Sequence, residues 1–262
     1  MSHFYWVHFA LLLYAISALF YLSRLVFKAK ILAGLGKRFL LFGFLVQSVA
    51  LGLQFYQTGY PFLVNSSDSY FFSAWALAAL YLLVSIRYPL EMAGSLFLPA
   101  ILILSIFSHL QTSSFENKSA LMQSPWAAVH IVFAFLAFSI FCLCFIMGAL
   151  FLFQEYQLKH KKIGAEKLPP LEVLEQLHYK ALSVGFALLT LGIVSGSAWA
   201  KSVKGVYFFD DPRQLWTIIA WLVYAFFFQV RFSGGWRGRR SILLSLLGFA
   251  VILFTFLEVQ HL

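Results

Sequence analysis

Two histidines and one short aromatic loop are the places where this sequence could do chemistry. His130 follows Trp126 by about one helical turn, and His261 is the penultimate residue. Imidazole holds a metal through a neutral ring nitrogen. Between the two lies the stretch KGVYFFDDPRQLW, Lys204 to Trp216, set between long apolar runs. With Trp199 just upstream, it collects the flat faces of Trp199, Tyr207, Phe208, Phe209 and Trp216 beside the cations Lys201, Lys204 and Arg213. A haem matches that set: imidazole for the iron, aromatic platforms for the porphyrin face, and cations for the propionates. Asp210, Asp211 and Pro212 have a structural use as well, because Asp before a helix suits its dipole and Pro fits its first turn.

The other candidate ligands read differently. His3, His8 and His109 fall at the ends of apolar segments, where an imidazole serves as an interfacial anchor. His160 and His178 fall toward the opposite ends, and His178 is expected at a surface or interface. Cys142 and Cys144 lie deep in one apolar run, two residues apart. That spacing turns them about 200° apart on a helix, so they are expected to pack rather than to form a metal or redox pair.

What must position these residues is a membrane bundle. The chain has 262 residues, 61% of them hydrophobic and 11% charged, against about 25% charged in ordinary globular domains. Spanning the hydrocarbon core takes roughly 20 apolar residues as helix. Eight such segments are expected near 4–26, 39–58, 70–87, 93–109, 125–153, 181–199, 214–231 and 241–260. The predicted fold is all-α, a single polytopic bundle over 1–262 embedded in a lipid bilayer. After Pro169-Pro170, the spacing of Leu171, Leu174, Leu177 and Ala181 predicts a separate interfacial amphipathic helix.

Charge sets the expected orientation. Fifteen of the 19 Lys and Arg fall in alternate connections, beginning with the cluster Arg24 to Arg38. Cytoplasmic loops are enriched in these residues, so both termini, His130, His261 and the loop 199–216 are expected on the outer side of a cell (inner) membrane. Topology thereby accounts for the net charge of +9, and nucleic acid is not an expected partner. The first segment has no basic residue before it and five after it, the pattern of an anchor rather than a signal peptide. The apolar cores lack the charged residues that mark ion or substrate pathways, which argues against a proton-coupled transporter.

Three C-terminal segments resemble a known family: LSVGFALLTLGIVSGSAWA at 182–200, DDPRQLWTIIAWLVYAFFFQVR at 210–231 and GWRGRRSILLSLLGFAVILFTFLEV at 235–259. A fourth, from Ala127 to Glu155, completes a family-like core over 125–262. The resemblance is to the CcsA/ResC membrane proteins of cytochrome c biogenesis, which include HemX-like and YpjD-like members. It implies haem b as cofactor, held by two outer histidines beside a tryptophan-rich loop of the form WGxxWxWDPKExW. His130 corresponds to the first of these histidines and His261 lies near the second. Gly205, Tyr207, Asp211, Pro212 and Trp216 match the loop frame, while Lys204, Phe208 and Asp210 stand where the family has tryptophans. Gln229, before Arg231, stands where haem-transporting members carry an inner histidine.

Two functions are implied. In one, the chain presents haem on the outer face for attachment to a Cys-x-x-Cys-His apocytochrome c, beside a ResB/CcsB-like membrane partner, within a haem lyase complex to which it brings no evident nucleophile or acid–base pair. In the other, a HemX-like or YpjD-like paralogue, it is a non-enzymatic regulator or assembly factor in tetrapyrrole metabolism.

Overall fold

The computed structural model describes residues 2–27, 29–58, 66–88, 91–110, 124–161, 168–207 and 212–258. These form eight helices: α1 Ser2–Phe27, α2 Lys30–Thr58, α3 Ser66–Arg87, α4 Gly94–Leu110, α5 Pro125–Lys159, α6 Leu171–Lys204, α7 Pro212–Ser233 and α8 Arg239–Glu258. Among the described residues six of them, α1, α2, α3, α5, α6 and α7, are long and apolar enough to cross a membrane, and α4 is a shorter apolar helix. The chain is therefore an all-helical, multi-pass membrane protein, and each expected segment has its helix. By their internal contacts the helices divide into two compact units, α1–α4 and α5–α8.

In the first unit α2 starts nine residues earlier than hydropathy predicts, at Lys30 rather than 39. The stretch KILAGLGKR falls in an expected connection because of its basic charges. It is helical because Gly36 lets α1 and α2 close up: a Cβ there would stand 2.7 Å from the ring of Tyr21. Ser17 Oγ donates to the Gly36 carbonyl across the same contact, at 2.7 Å. The Tyr21 ring also lies against Gly94, where a Cβ would come within 2.2 Å, and its hydroxyl accepts from Tyr81 at 3.0 Å. Gln47, fully buried, accepts from Tyr14 and donates to the Phe71 carbonyl at 2.8 Å, so its amide is paired inside the unit.

The second unit is built on the α5–α6 pair. The expected interfacial helix is not separate: residues 171–204 form one continuous helix. Leu174, His178, Leu182, Gly185, Leu189 and Gly192 fall at three- and four-residue spacing and are all buried, so the apolar face of the short segment runs directly into that of the span. His178 is accordingly not at a surface. It is 1% exposed, with its Nε2 2.8 Å from Ser245 Oγ on α8 and its carbonyl accepting from Cys144 on α5 at 3.8 Å. Both cysteines are buried and unbridged. Toward the same end Arg231 on α7 pairs with Glu175 on α6 at 3.0 Å, donates to Ser241 on α8 at 3.2 Å and lies over the Tyr179 ring.

Candidate functional site

His130 sits on the second turn of α5, where it meets the last turns of α6. The two helices run antiparallel, and Ser124 just before α5 stands 3.1 Å from Ser202 near the end of α6, oxygen to oxygen. A Gly-x-x-x-Gly pattern, Gly192 and Gly196, faces α5 and allows the approach. Gly192 packs on the Ala134 backbone, and Gly196 packs under the imidazole itself: a Cβ at 196 would stand 2.7 Å from Nδ1 and 2.8 Å from Cε1.

This packing fixes the ring chemically. His130 Nδ1 lies 2.7 Å from the Gly192 carbonyl oxygen. A carbonyl can only accept, so Nδ1 carries the proton and donates, and the neutral ring has its lone pair on Nε2. Metal-binding imidazoles are oriented in this way, with the second nitrogen held by a carbonyl or carboxylate. The half-buried ring is also stacked on Trp199, with centroids 5.9 Å apart and planes at 29°. The donor set fits an axial haem ligand: one imidazole with a fixed tautomer, beside an indole face.

The loop begins from an ordered cap. Gly205 ends α6 in the left-handed region at φ +76°, and its N–H donates to the Lys201 carbonyl at 3.1 Å, a conformation that glycine adopts without penalty. Lys201 Nζ donates to the Gly205 carbonyl at 2.9 Å and sits 5.0 Å from the ring centre of Tyr207, which is 57% exposed. Pro212 is the first residue of α7. Trp216, one turn further, packs edge-on against Phe254 of α8 at 4.8 Å.

The structure thus joins His130 to Trp199, and Lys201 to Gly205 and Tyr207, while Trp216 belongs to the α7–α8 contact. His261, Phe208, Phe209 and Asp211 lie outside the described residues. Gly192 and Gly196 were absent from the residues singled out in the sequence. Their four-residue spacing was the available signal.

The sequence profile described as cytochrome C assembly protein matches residues 63–262. The chain belongs to the cytochrome c assembly protein family. Among its relatives is the cytochrome c biogenesis protein CcsA of Chlamydomonas reinhardtii, 31% identical over 212 residues, covering 78% of this chain and 59% of that protein. The chain thus spans less than two thirds of that relative's length. The CcsA of Trieres chinensis is 27% identical over 288 residues, covering 97% of this chain and 92% of that one. Among solved structures, the cytochrome c haem lyase CcmF superposes with a TM-score of 0.72 at 17% identity, over 97% of this chain and 46% of that one. At that identity the likeness is one of fold.

Proposed function

We propose that this chain presents haem b at the outer face of a cell membrane for cytochrome c maturation. The observation that carries the reading is the held imidazole of His130, with its proton on Nδ1 and its lone pair on Nε2. In this reading His130 and His261 would hold the haem iron. Trp199 stacks on the first of them, and Gly205, Tyr207, Phe208, Phe209, Asp211, Pro212 and Trp216 form the frame that covers the porphyrin face. Bound haem supplies the vinyl groups to which the thiols of an apocytochrome c Cys-x-x-Cys-His motif add.

The chain's own contribution is to bind, orient and shield. Gly192 holds the His130 proton at Nδ1, Gly196 leaves room for the ring, and the Gly205 turn brings Tyr207 beside Lys201 at the end of α6. A ResB/CcsB-like membrane protein is the partner in this reading, with the apocytochrome c as acceptor.

A second reading has a specific support. Gln229, at the position where haem-transporting members carry an inner histidine, is exposed on α7, and Lys204, Phe208 and Asp210 replace loop tryptophans. A HemX-like or YpjD-like regulator or assembly factor in tetrapyrrole metabolism would tolerate these changes.

Spectra and genetics separate the two. Protein purified in detergent from cells with haem synthesis intact is expected to show a low-spin Soret band that His130→Ala weakens. A colourless preparation that also fails to take up added haemin defeats the haem-presenting reading. Unchanged haem-stained c-type bands after deletion of the gene favour the regulator.

A further inference from the structure

The turn that joins α7 to α8 carries positive charge that the fold does not neutralise. Four arginines, Arg231, Arg237, Arg239 and Arg240, stand within ten residues there, and no Asp or Glu occurs between Asp211 and Glu258. Arg231 belongs to the fold, through Glu175, Ser241 and the Tyr179 ring. The other three are exposed. Among the described residues the acid that reaches them is Glu155, 3.8 Å from Arg239 and already held by Lys159 at 2.9 Å. Three guanidinium groups thus share part of one carboxylate.

The turn is ordered and lies at a definite depth. Gly234 and Trp236 both donate their N–H to the Val230 carbonyl, at 3.0 and 3.3 Å. Gly235 at φ +61° and Gly238 at φ +64° take the left-handed region on either side of Trp236, which glycine adopts freely. The 22 residues of α7 extend about 33 Å as helix, against about 30 Å of hydrocarbon. Its end at Ser233 therefore emerges at the membrane surface, and the turn 234–238 lies among the lipid headgroups. Phe232, 76% exposed, and the exposed Trp236 flank the arginines. An indole suits that depth, with an apolar body and one N–H donor.

We propose that Arg237, Arg239 and Arg240, with Trp236, form a binding site for the headgroup of an anionic phospholipid. Guanidinium forks hold phosphate oxygens in pairs, and basic residues beside a membrane span attract anionic lipid. An acidic protein is the poorer match, because the arginines share their surface with Phe232, which lipid covers and water does not. The site is independent of the haem reading: it lies at the end of α7 and α8 remote from His130 and uses none of the residues assigned to haem.

Lipid selectivity tests it on the full-length chain in bilayers. Brominated phosphatidylglycerol and brominated phosphatidylcholine quench tryptophan on contact, and subtracting the signal of Trp236→Phe isolates Trp236. The anionic lipid is expected to be preferred there about tenfold, falling toward equality as salt is raised and in Arg237→Gln/Arg240→Gln. Lys30→Gln/Arg38→Gln, which removes the same charge from exposed positions in the other unit, should keep the preference. Equal quenching by the two lipids in the wild type overturns the site, as does a preference that survives in the Arg237/Arg240 double variant. Loss of the preference in the Lys30/Arg38 double variant shows an effect of net charge only, and competition by inorganic phosphate at constant ionic strength shows a free-anion site. Either result also overturns the proposal.

Discussion

Gly196→Ala is the sharpest probe of how the imidazole is held. The added Cβ would stand 2.7 Å from His130 Nδ1, whereas ordinary contact begins near 3.4 Å, so the ring must retreat by about 0.7 Å. A retreat of that size along the bond stretches Nδ1–H···O=C of Gly192 from 2.7 Å to about 3.4 Å, beyond hydrogen-bonding range. Losing that bond costs about 1 kcal/mol. Replacing a helical glycine by alanine returns about as much. Thermal stability should therefore hardly move, while the ring loses the constraint on its tautomer and aim. If His130 ligates haem, haemin affinity should fall about tenfold, equivalent to 1.4 kcal/mol, with a weaker low-spin Soret band. Gly192→Ala is the control: its Cβ meets the Ala134 backbone at 3.7 Å, an ordinary contact, and leaves the carbonyl in place. Haemin titrations on both variants decide the matter. Wild-type affinity in Gly196→Ala, or an equal loss in Gly192→Ala, refutes ring displacement as the cause.

Two predictions concern the packing that positions the site. Ser245→Ala removes the hydroxyl bonded to His178 Nε2 in a buried setting where Nδ1 has no hydrogen-bond partner among the described residues, and should lower stability by about 1–3 kcal/mol. Thermal melts in detergent should show a drop absent from Ser183→Ala, whose hydroxyl donates to the Tyr179 carbonyl of its own helix, and identical melts would reject the buried role. Gly94→Ala drives a Cβ to 2.2 Å from a Tyr21 ring already confined by Gly36, at a cost of about 1–3 kcal/mol or more. Tyr21→Leu in the same chain should recover part of it, and a Gly94→Ala protein with an unchanged melt would contradict the packing.

The fold was legible in the sequence because lipid makes one demand, a long apolar helix, and each segment meets it without reference to the others. Errors arose where a distant partner decides. Residues 30–38 read as part of a connection for their basic charges, since Tyr21, whose ring needs Gly36, is on another helix. His178 read as interfacial because the segment before Ala181 is polar on average, yet its partner Ser245 is 67 residues away. The candidate site was half legible. His130 and Trp199 are 69 positions apart, and chemistry alone marked both. Gly192 and Gly196 escaped notice because a small residue inside an apolar run changes hydropathy little, although its missing side chain is what the imidazole occupies.

The lengths of α5 and α6 carry a consequence of their own. At 35 and 34 residues they reach about 50 Å, some 20 Å more than the hydrocarbon they cross. Five of their seven charged residues, Glu155, Lys159, Glu172, Glu175 and Lys180, lie toward the end remote from His130, against Lys201 and Lys204 at the end beside it, so the larger part of the surplus projects there as a stalk clear of the lipid. A protein that grips this stalk does so in water, and tilting it would swing the opposite end of the same stiff hairpin, coupling one side of the membrane to the other by leverage.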